Sequence, residues 1–191
     1  MLFRSVESLS SNGIKYFRGS STNVLERVIK AAEFFGVEII VEITGDCPFV
    51  DPNLVDYMIE LLQVNDFEYV SNNFSTSFAD GFDVQVYYLE TLKRMSKMEL
   101  SNLDREHVTM KIRQNPSLFK TLNLIAPSRF RRPTYSVTLD TKEDYEVIKK
   151  VHEKLFRKHG DTYGLVEITD FLDLHPDIRL LNEEVLRKGY S

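Results

Sequence analysis

The chain has 191 residues, of which 42% are hydrophobic and 28% are charged, a composition typical of one globular domain with a sizeable core. The net charge of −5 argues against a nucleic-acid partner, and no apolar run approaches the roughly 20 residues that a membrane span needs. The single cysteine, Cys47, cannot form an internal disulfide, so a reducing, cytoplasmic location is expected.

The N-terminal part of the chain is only partly patterned. Residues 1–12 have little apolar periodicity, and the sequence leaves open whether they are disordered or helical. Ile14–Phe17 is predicted to be a short strand, and residues 24–35 a helix that ends at Gly36. The polar run Ser20–Asn23 is predicted to cap that helix. An N-terminus that follows a strand could also bind an anion, but capping is favoured from these residues alone.

Residues 41–52, with the sequence VEITGDCPFVDP, are predicted to form the centre of the fold. A strand over Val37–Ile43 leads into a turn that carries Asp46, and a helix over Leu54–Leu62 follows, with Asp51 as its cap. Ligands of open α/β sheets bind beyond the carboxyl ends of the strands. Asp46 therefore suits a hard cation such as Mg²⁺, although an aspartate in a turn can also be purely structural.

Two neighbours of Asp46 have simpler predicted roles. Gly45 is expected to free the backbone for the turn. Cys47 has no histidine nearby in the sequence, which favours a small buried residue over a nucleophile. Pro52, at the first position of the predicted helix, fits the preference of proline for that position.

The rest of the chain continues the alternation of strands and helices. Strands are predicted over residues 67–70, 84–88, 119–125 and 135–139, and helices over residues 89–98, 105–114, 142–158, 165–174 and 178–186. Asn102 or Asp104 is the expected cap of the helix over residues 105–114, and Thr141 is the expected cap of the helix over residues 142–158. The segment from residue 160 is interpreted as a helical tail that serves packing or a homodimer contact. The whole chain, residues 1–191, is predicted to be a single domain.

Two loops of the predicted fold have open roles. Asp80 and Asp83 could hold sugar hydroxyls or lie in a solvated turn, and neither role is favoured. The basic loop Arg129–Arg132 could meet a phosphate or a carboxylate, but an isolated basic loop is more often solvated.

Asp46 and Asp140 stand out as a pair, because each follows a predicted strand and precedes a helix cap. In a doubly wound sheet both strand ends open on the same edge. Two carboxylates repel each other there unless a cation lies between them. A bound Mg²⁺ would remove that conflict and bridge to phosphate oxygens.

Several motifs, in order, resemble the family of spore-coat polysaccharide cytidylyltransferases, relatives of the enzymes that activate neuraminic acid. The resemblance covers about residues 13–160. Its motifs are Phe17-Arg18-Gly19-Ser20 with Val24-Leu25-Glu26-Arg27, Gly45-Asp46-Cys47-Pro48 with Asp51-Pro52, Tyr69-Val70-Ser71-Asn72, Asp80-Gly81-Phe82-Asp83-Val84-Gln85-Val86, Arg105-Glu106-His107-Val108-Thr109, and Thr138-Leu139-Asp140-Thr141-Lys142-Glu143-Asp144.

The resemblance implies a three-layer α/β fold with a mostly parallel sheet, of the glycosyltransferase-A-like type found in nucleotide-diphospho-sugar transferases. It implies that CMP passes from CTP to a sugar for surface polysaccharide or glycoconjugate synthesis. Asp46 and Asp140 would hold Mg²⁺, and Glu106 and His107 would be catalytic. The implied substrate-binding residues are Ser20, Ser21, Asn23, Gly45, Asn72, Asp80, Asp83 and Arg105.

The sequence departs from the resembled family at its start. Members begin with a strand and a loop rich in Gly, Ser, Arg and Lys that grips the triphosphate, and no such loop precedes Gly13. The expectation is an N-terminally truncated domain that is inactive alone. Two alternatives stay open here: a non-catalytic remnant, and a sugar-binding or interaction subunit that pairs with an intact homologue.

Overall fold

The structure, a computed structural model, describes residues 2–185. In chain order the helices are α1 (Leu2–Ser11), α2 (Val24–Phe35), α3 (Pro52–Val64), α4 (Leu89–Ser96), α5 (Asn102–Glu106), α6 (Met110–Gln114), α7 (Lys142–His159), α8 (Leu165–Leu174) and α9 (Pro176–Arg179), and the strands are β1 (Ile39–Glu42), β2 (Tyr69–Ser71), β3 (Gln85–Tyr88) and β4 (Thr121–Asn123). Two single 3₁₀ turns cover Ser128–Phe130 and Leu180–Asn182.

The chain divides into two compact units. One contains the residues up to Ile40 together with Tyr88–Leu118, and the other contains Val41–Tyr87 together with the residues from Phe119 on. The assignment of one domain to the whole chain stays a prediction. None of the helices in the described residues is long and apolar enough to cross a membrane.

Helix α2 of the first unit has a cap at each end, and its bounds match the prediction. The Asn23 side chain caps it by accepting a hydrogen bond from the Glu26 N–H at 3.1 Å. Gly36 ends it in the left-handed region, with φ of 67°, which glycine adopts without strain. Leu25 and Ala32 are buried, and the helix packs against α4 and α5.

Four expectations for the first unit need correction or completion. Residues 2–11, left open between disorder and helix, form α1. Residues 14–17 form no strand, since no ladder partner lies beside them in the described part of the chain. The helix predicted over residues 105–114 is two short helices, because Val108 has φ of +48° and a right-handed helix cannot continue through that conformation. The cap of α5 is Ser101, not Asn102 or Asp104.

The second unit contains the greater part of the sheet, in which the strand order is β1-β3-β2-β4. Strand β2 runs parallel to β4 and antiparallel to β3. The mixed α/β character of the prediction is therefore confirmed, whereas the mostly parallel, three-layer arrangement is not. The predicted strand over residues 135–139 is reduced to one isolated bridge, between Asp80 and Ser136.

Two buried tyrosines organise the centre of this sheet. Tyr69 and Tyr87 are register partners on β2 and β3, and their rings stack with centroids 5.8 Å apart. The Tyr87 hydroxyl donates a 2.5 Å hydrogen bond to Glu42 Oε2, which ties the end of β1 to β3. Burial, followed by the Glu42 charge, raises the pKa of Tyr87, so this hydroxyl stays a donor. The bond anchors β1 directly before the turn that carries Asp46.

Helices α3, α7 and α8 of the second unit lie at their predicted positions, and the last predicted helix does not. Asp51 caps α3 and Pro52 occupies its first position, as predicted. Thr141 caps α7, also as predicted, and α7 packs against α8 and the 3₁₀ turn at Leu180–Asn182. The last helix, predicted over residues 178–186, is instead the short α9 followed by that 3₁₀ turn, and residue 186 lies outside the described residues.

Candidate functional site

The turn after β1 is hydrogen-bonded to the segment that leads to Asp140. The carbonyl oxygen of Asp46 accepts hydrogen bonds from the Leu139 N–H at 2.8 Å and from the Thr138 hydroxyl at 3.3 Å. Asp46 is half-buried and Asp140 is exposed. The two predicted metal ligands are thus carried by loops that are in direct backbone contact.

A second acidic loop, residues 80–83, lies against the same segment. The Asp80 N–H donates to the Tyr135 carbonyl at 3.0 Å, and the Val137 N–H donates to the Asp80 carbonyl at 2.8 Å. Gly81 has φ of +103°, and a Cβ there would lie 2.7 Å from the backbone carbon of Val137. Only glycine permits this approach, because the added atom would meet backbone, which cannot move aside. By contrast, a Cβ at Gly45 would meet nothing within 4 Å, so space does not require glycine in the first turn.

Asn72 braces the loop that carries Asp83. Its side-chain amide donates to the Phe82 carbonyl at 2.8 Å, and its oxygen accepts from the Val84 N–H at 2.9 Å. The residue is buried, with 1% of its surface exposed. The structure therefore assigns Asn72 a bracing role, and its predicted contact with substrate stays a prediction.

The charges of Asp46 and Asp80 act on Asp83, and the charges of all three aspartates act on Cys47; we refer to Asp46, Asp80 and Asp83 as the acidic cluster. Burial and then the Asp80 charge raise the pKa of Asp83 from 3.8 to about 6, with a smaller contribution from Asp46. Burial raises the pKa of the Cys47 thiol from 9.0 to about 11; a hydrogen bond from Thr44 opposes this, and all three carboxylates add to it. Cys47 is thus a buried, protonated thiol and not an activated nucleophile.

The carboxylate oxygens of the acidic cluster are the kind of ligand that a divalent cation prefers. The cluster does not form a complete set of metal ligands on its own. In residues 2–185 no three His, Cys, Asp or Glu side chains are arranged to hold a metal ion together. Mg²⁺ does not need such a cage, since it commonly takes one or two carboxylates, several waters and substrate phosphates. Asp46 and Asp140 could supply two such ligands, and their metal role stays a prediction.

Ser20 and Asn23, two of the candidate substrate-binding residues near α2, make structural hydrogen bonds. The Ser20 hydroxyl accepts a hydrogen bond from the Asn23 N–H at 2.9 Å, and the Ser20 carbonyl accepts one from Arg27 at 2.7 Å. Ser21 is exposed. Capping, the role favoured from the residues alone, is therefore present at Asn23, which Ser20 holds in place, while substrate contacts of all three residues stay predictions.

Arg105, predicted to bind substrate, and Glu106 and His107, predicted to be catalytic, lie at the break between α5 and α6. Arg105 and Glu106 are exposed, and His107 is half-buried at the end of α5. Val108, which follows, is 2% exposed and has φ of +48°, a conformation that costs a β-branched residue about 1–3 kcal/mol. Such strain is common at functional sites because it fixes the direction of neighbouring groups.

The basic loop that the sequence left open is paired with α8. Arg132 donates to Asp173 through Nε at 2.8 Å and Nη2 at 2.5 Å, and Arg129 donates to Asp170 at 3.2 Å. The Tyr135 hydroxyl also donates to Asp173, at 2.8 Å. The hydrogen bonds from Arg132 hold the pKa of Asp173 below its usual value. These contacts favour a packing role for Arg129 and Arg132.

Sequence reasoning missed two residues next to the candidate metal ligand Asp140. Asp144 is fully buried and accepts hydrogen bonds from the start of α7, and Asn182 donates to it at 2.7 Å. The Thr141-x-x-Asp144 spacing is a capping-box pattern that could have identified Asp144. Asn182 has no comparable signal, because its partner lies 38 residues away.

Comparison with known proteins identifies the family. The family model described as Cytidylyltransferase matches residues 4–164. The spore coat polysaccharide biosynthesis protein SpsF of Bacillus subtilis is 38% identical over 167 residues, 86% of this chain and 67% of SpsF. An uncharacterised protein of Methanocaldococcus jannaschii is 35% identical over 187 residues, 97% of this chain and 74% of that protein.

A solved structure agrees with these relatives. The structure of a cytidylyltransferase from Leptospira borgpetersenii matches with a TM-score of 0.87 at 26% identity, over 97% of this chain and 76% of that one. The chain belongs to the cytidylyltransferase family, and the resemblance drawn from its motifs is confirmed.

Proposed function

We propose that this protein transfers CMP from CTP to a sugar hydroxyl, in the synthesis of a surface polysaccharide or glycoconjugate. The observation that carries the proposal is the 2.8 Å hydrogen bond from the Leu139 N–H to the Asp46 carbonyl. It occurs in a chain that belongs to the cytidylyltransferase family. It joins the loops of the two carboxylates to which metal binding is ascribed. The name of SpsF, a relative at 38% identity, supports the polysaccharide context.

The reaction is a substitution at phosphorus. The sugar oxygen bonds to the α-phosphorus of CTP, the bond to the bridging oxygen breaks, and pyrophosphate leaves with that electron pair. Mg²⁺, held by Asp46 and Asp140, would neutralise phosphate charge. Asp80 and Asp83 would accept hydrogen bonds from sugar hydroxyls, and Glu106 or His107 would take the proton of the attacking hydroxyl.

Residues 2–11 and the sequence before Arg18 offer few groups that could bind the triphosphate of CTP. Binding it takes backbone amides and cationic side chains around the phosphates. Arg4 and Lys15 are the only cations before Arg18, and residues 2–11 form α1 with no Gly-rich turn. The test of the proposal therefore includes a chain that carries such a loop.

The test compares residues 1–191 with the same chain extended at its N-terminus by the strand and the Gly-, Ser-, Arg- and Lys-rich loop that the resemblance implies for the family. Isothermal titration with CTP, UTP, ATP and GTP in Mg²⁺ should show selective CTP binding by the extended chain. With a panel of sugars, pyrophosphate release should depend on both CTP and one sugar, and Asp46→Asn or Asp140→Asn should abolish it. An extended chain that does not prefer CTP, or activity that survives both substitutions, would overturn the proposal.

A further inference from the structure

The carboxylate of Asp51 caps two helices that are far apart in the sequence. Its Oδ1 accepts the N–H groups of Asn53 at 2.7 Å and Leu54 at 3.3 Å, at the start of α3. Its Oδ2 accepts the N–H of Leu165, the first residue of α8, at 2.6 Å. A Cβ at Gly164 would lie 2.4 Å from that oxygen, so any larger residue there would force the Asp51 carboxylate to move. Asp51 thus links the loop that begins at Asp46 to the C-terminal segment.

Asp144 makes the same kind of link for the other loop. Its Oδ2 accepts the N–H groups of Asp140 at 3.2 Å and Thr141 at 2.9 Å, and its Oδ1 accepts the Asn182 amide at 2.7 Å. Asn182 also donates to the Ser136 carbonyl at 3.2 Å. Asp144 is 0% exposed and Asn182 is 5% exposed, so water does not compete freely for these bonds.

The two links meet in one segment, residues 164–182. The family model matches residues 4–164, so Leu165 and Asn182 lie beyond the match, while Asp51 and Asp144 lie within it. The loops of Asp46 and Asp140 are therefore each held from the same C-terminal segment by a buried aspartate. A structural cap needs only its own helix, whereas these carboxylates each have a second, distant partner.

We propose that Asp51 and Asp144 are positioning residues: with Gly164 and Asn182 they hold the loops of Asp46 and Asp140 at the separation that one divalent cation requires. The metal-positioning role in this inference rests on the proposed function. The hydrogen bonds that link the loops to residues 164–182 do not depend on it. Outer residues of this kind commonly change metal affinity by 10–100-fold when they are replaced. The link itself is testable without any metal.

The first experiment measures amide hydrogen exchange on the whole chain in EDTA. Asn182→Ala removes a buried donor to a charged acceptor, and the Asp140 and Thr141 amides should exchange about tenfold faster. Glu183→Ala is the matched control, since Glu183 is exposed and its Arg179 partner is 3.8 Å away. Unchanged exchange at Asp140 and Thr141 in Asn182→Ala would overturn the inference.

The second experiment follows Mn²⁺ binding to the same chains by electron paramagnetic resonance. Asn182→Ala should weaken Mn²⁺ binding about tenfold or more relative to the wild-type chain, and Glu183→Ala should not. Equal Mn²⁺ affinity in all three chains, with faster exchange in Asn182→Ala, would overturn the positioning role and leave the metal site standing. Absence of Mn²⁺ binding in the wild-type chain would overturn the positioning role together with the proposed metal function, and the exchange data would still report the link.

Gly164→Ala tests the Asp51 link in the same way. Its added methyl group would displace the Asp51 carboxylate from the Leu165 N–H. We expect faster exchange of the Leu165 amide and of the amides at the start of α3, together with weaker Mn²⁺ binding. Exchange at wild-type rates in both places would remove Asp51 from the inference.

Discussion

The backbone N–H of Leu139 donates a hydrogen bond of 2.8 Å to the carbonyl oxygen of Asp46. This bond joins two loops that are far apart in the sequence and that each carry a candidate metal ligand. The loop of Asp80 and Asp83 bonds to the same segment through Tyr135 and Val137. The segment before Asp140 therefore organises all the carboxylates ascribed to the site in this unit, although only its bridge at Ser136 is ladder pairing.

Gly81→Ala should destabilise the protein, because the new methyl group would overlap the backbone of Val137. We expect about 1–2 kcal/mol from the left-handed backbone and a further ~1–3 kcal/mol from the overlap. Urea denaturation measures the change. Gly45→Ala is the control in the other acidic loop, since its Cβ meets open space, and it should leave stability within about 0.5 kcal/mol. Equal effects of the two substitutions would contradict the close approach at Gly81.

The raised pKa of Asp83 predicts a pH dependence of stability. The folded chain holds this proton up to a pH of about 6, and the unfolded chain only to about 3.8, so the free energy of unfolding should fall as pH rises between these values. The loss is on the order of 3 kcal/mol, since the shift is about two pKa units and one unit corresponds to about 1.4 kcal/mol.

Asp83→Asn isolates this contribution. The difference in stability between wild type and Asp83→Asn, measured by urea denaturation in EDTA, should favour the variant progressively as pH rises from about 4 to about 7. Because the Asp80 charge contributes to the shift of Asp83, the difference reports the interaction of these two carboxylates together. A difference that does not vary with pH would show that Asp83 titrates normally.

Cys47 should be inert to thiol reagents in the folded chain. With a pKa of about 11, only about one thiol in a thousand is ionised at pH 8. Labelling with iodoacetamide should be at least about a hundredfold slower than in urea, where the same single cysteine is exposed and close to its ordinary pKa. Equal rates in the two conditions would contradict the burial of Cys47.

Much of the fold was predictable because its signals are local. The caps Asn23, Asp51 and Thr141 and the stop at Gly36 each lie within a few residues of the groups they serve. The break at Val108 was not predictable, because the residues around it continue a helical pattern and only tertiary packing holds the left-handed backbone.

The candidate site likewise has features that the sequence predicts and features that it does not. Asp46 and Asp140 were identified as a pair from strand ends, and their loops are in contact. The second partners of Asp51 and Asp144 could not be found, because Leu165 lies 114 residues and Asn182 38 residues away. A single sequence carries no signal for a hydrogen bond between residues so far apart. The pairing of Arg132 with Asp173, 41 residues apart, was missed for the same reason.

Glu106 and His107 are predicted to act on the sugar and not on the nucleotide. Glu106→Gln and His107→Asn, made in the extended chain, should lower the rate of transfer by about 10²–10⁴-fold, the usual contribution of a general base. Titration with CTP should give an affinity within about twofold of the parent. Parallel loss of CTP affinity and of secondary structure would mean that these residues support the fold instead.

The shared cation of Asp46 and Asp140 can be observed directly. Crystals of the chain grown with Mn²⁺ and CMP, and measured at the manganese absorption edge, should show one anomalous peak about 2.1–2.2 Å from an oxygen of each carboxylate. Asp140→Asn crystals should lose that peak. Carboxylates more than about 10 Å apart, with no peak between them, would contradict a metal site formed by this pair.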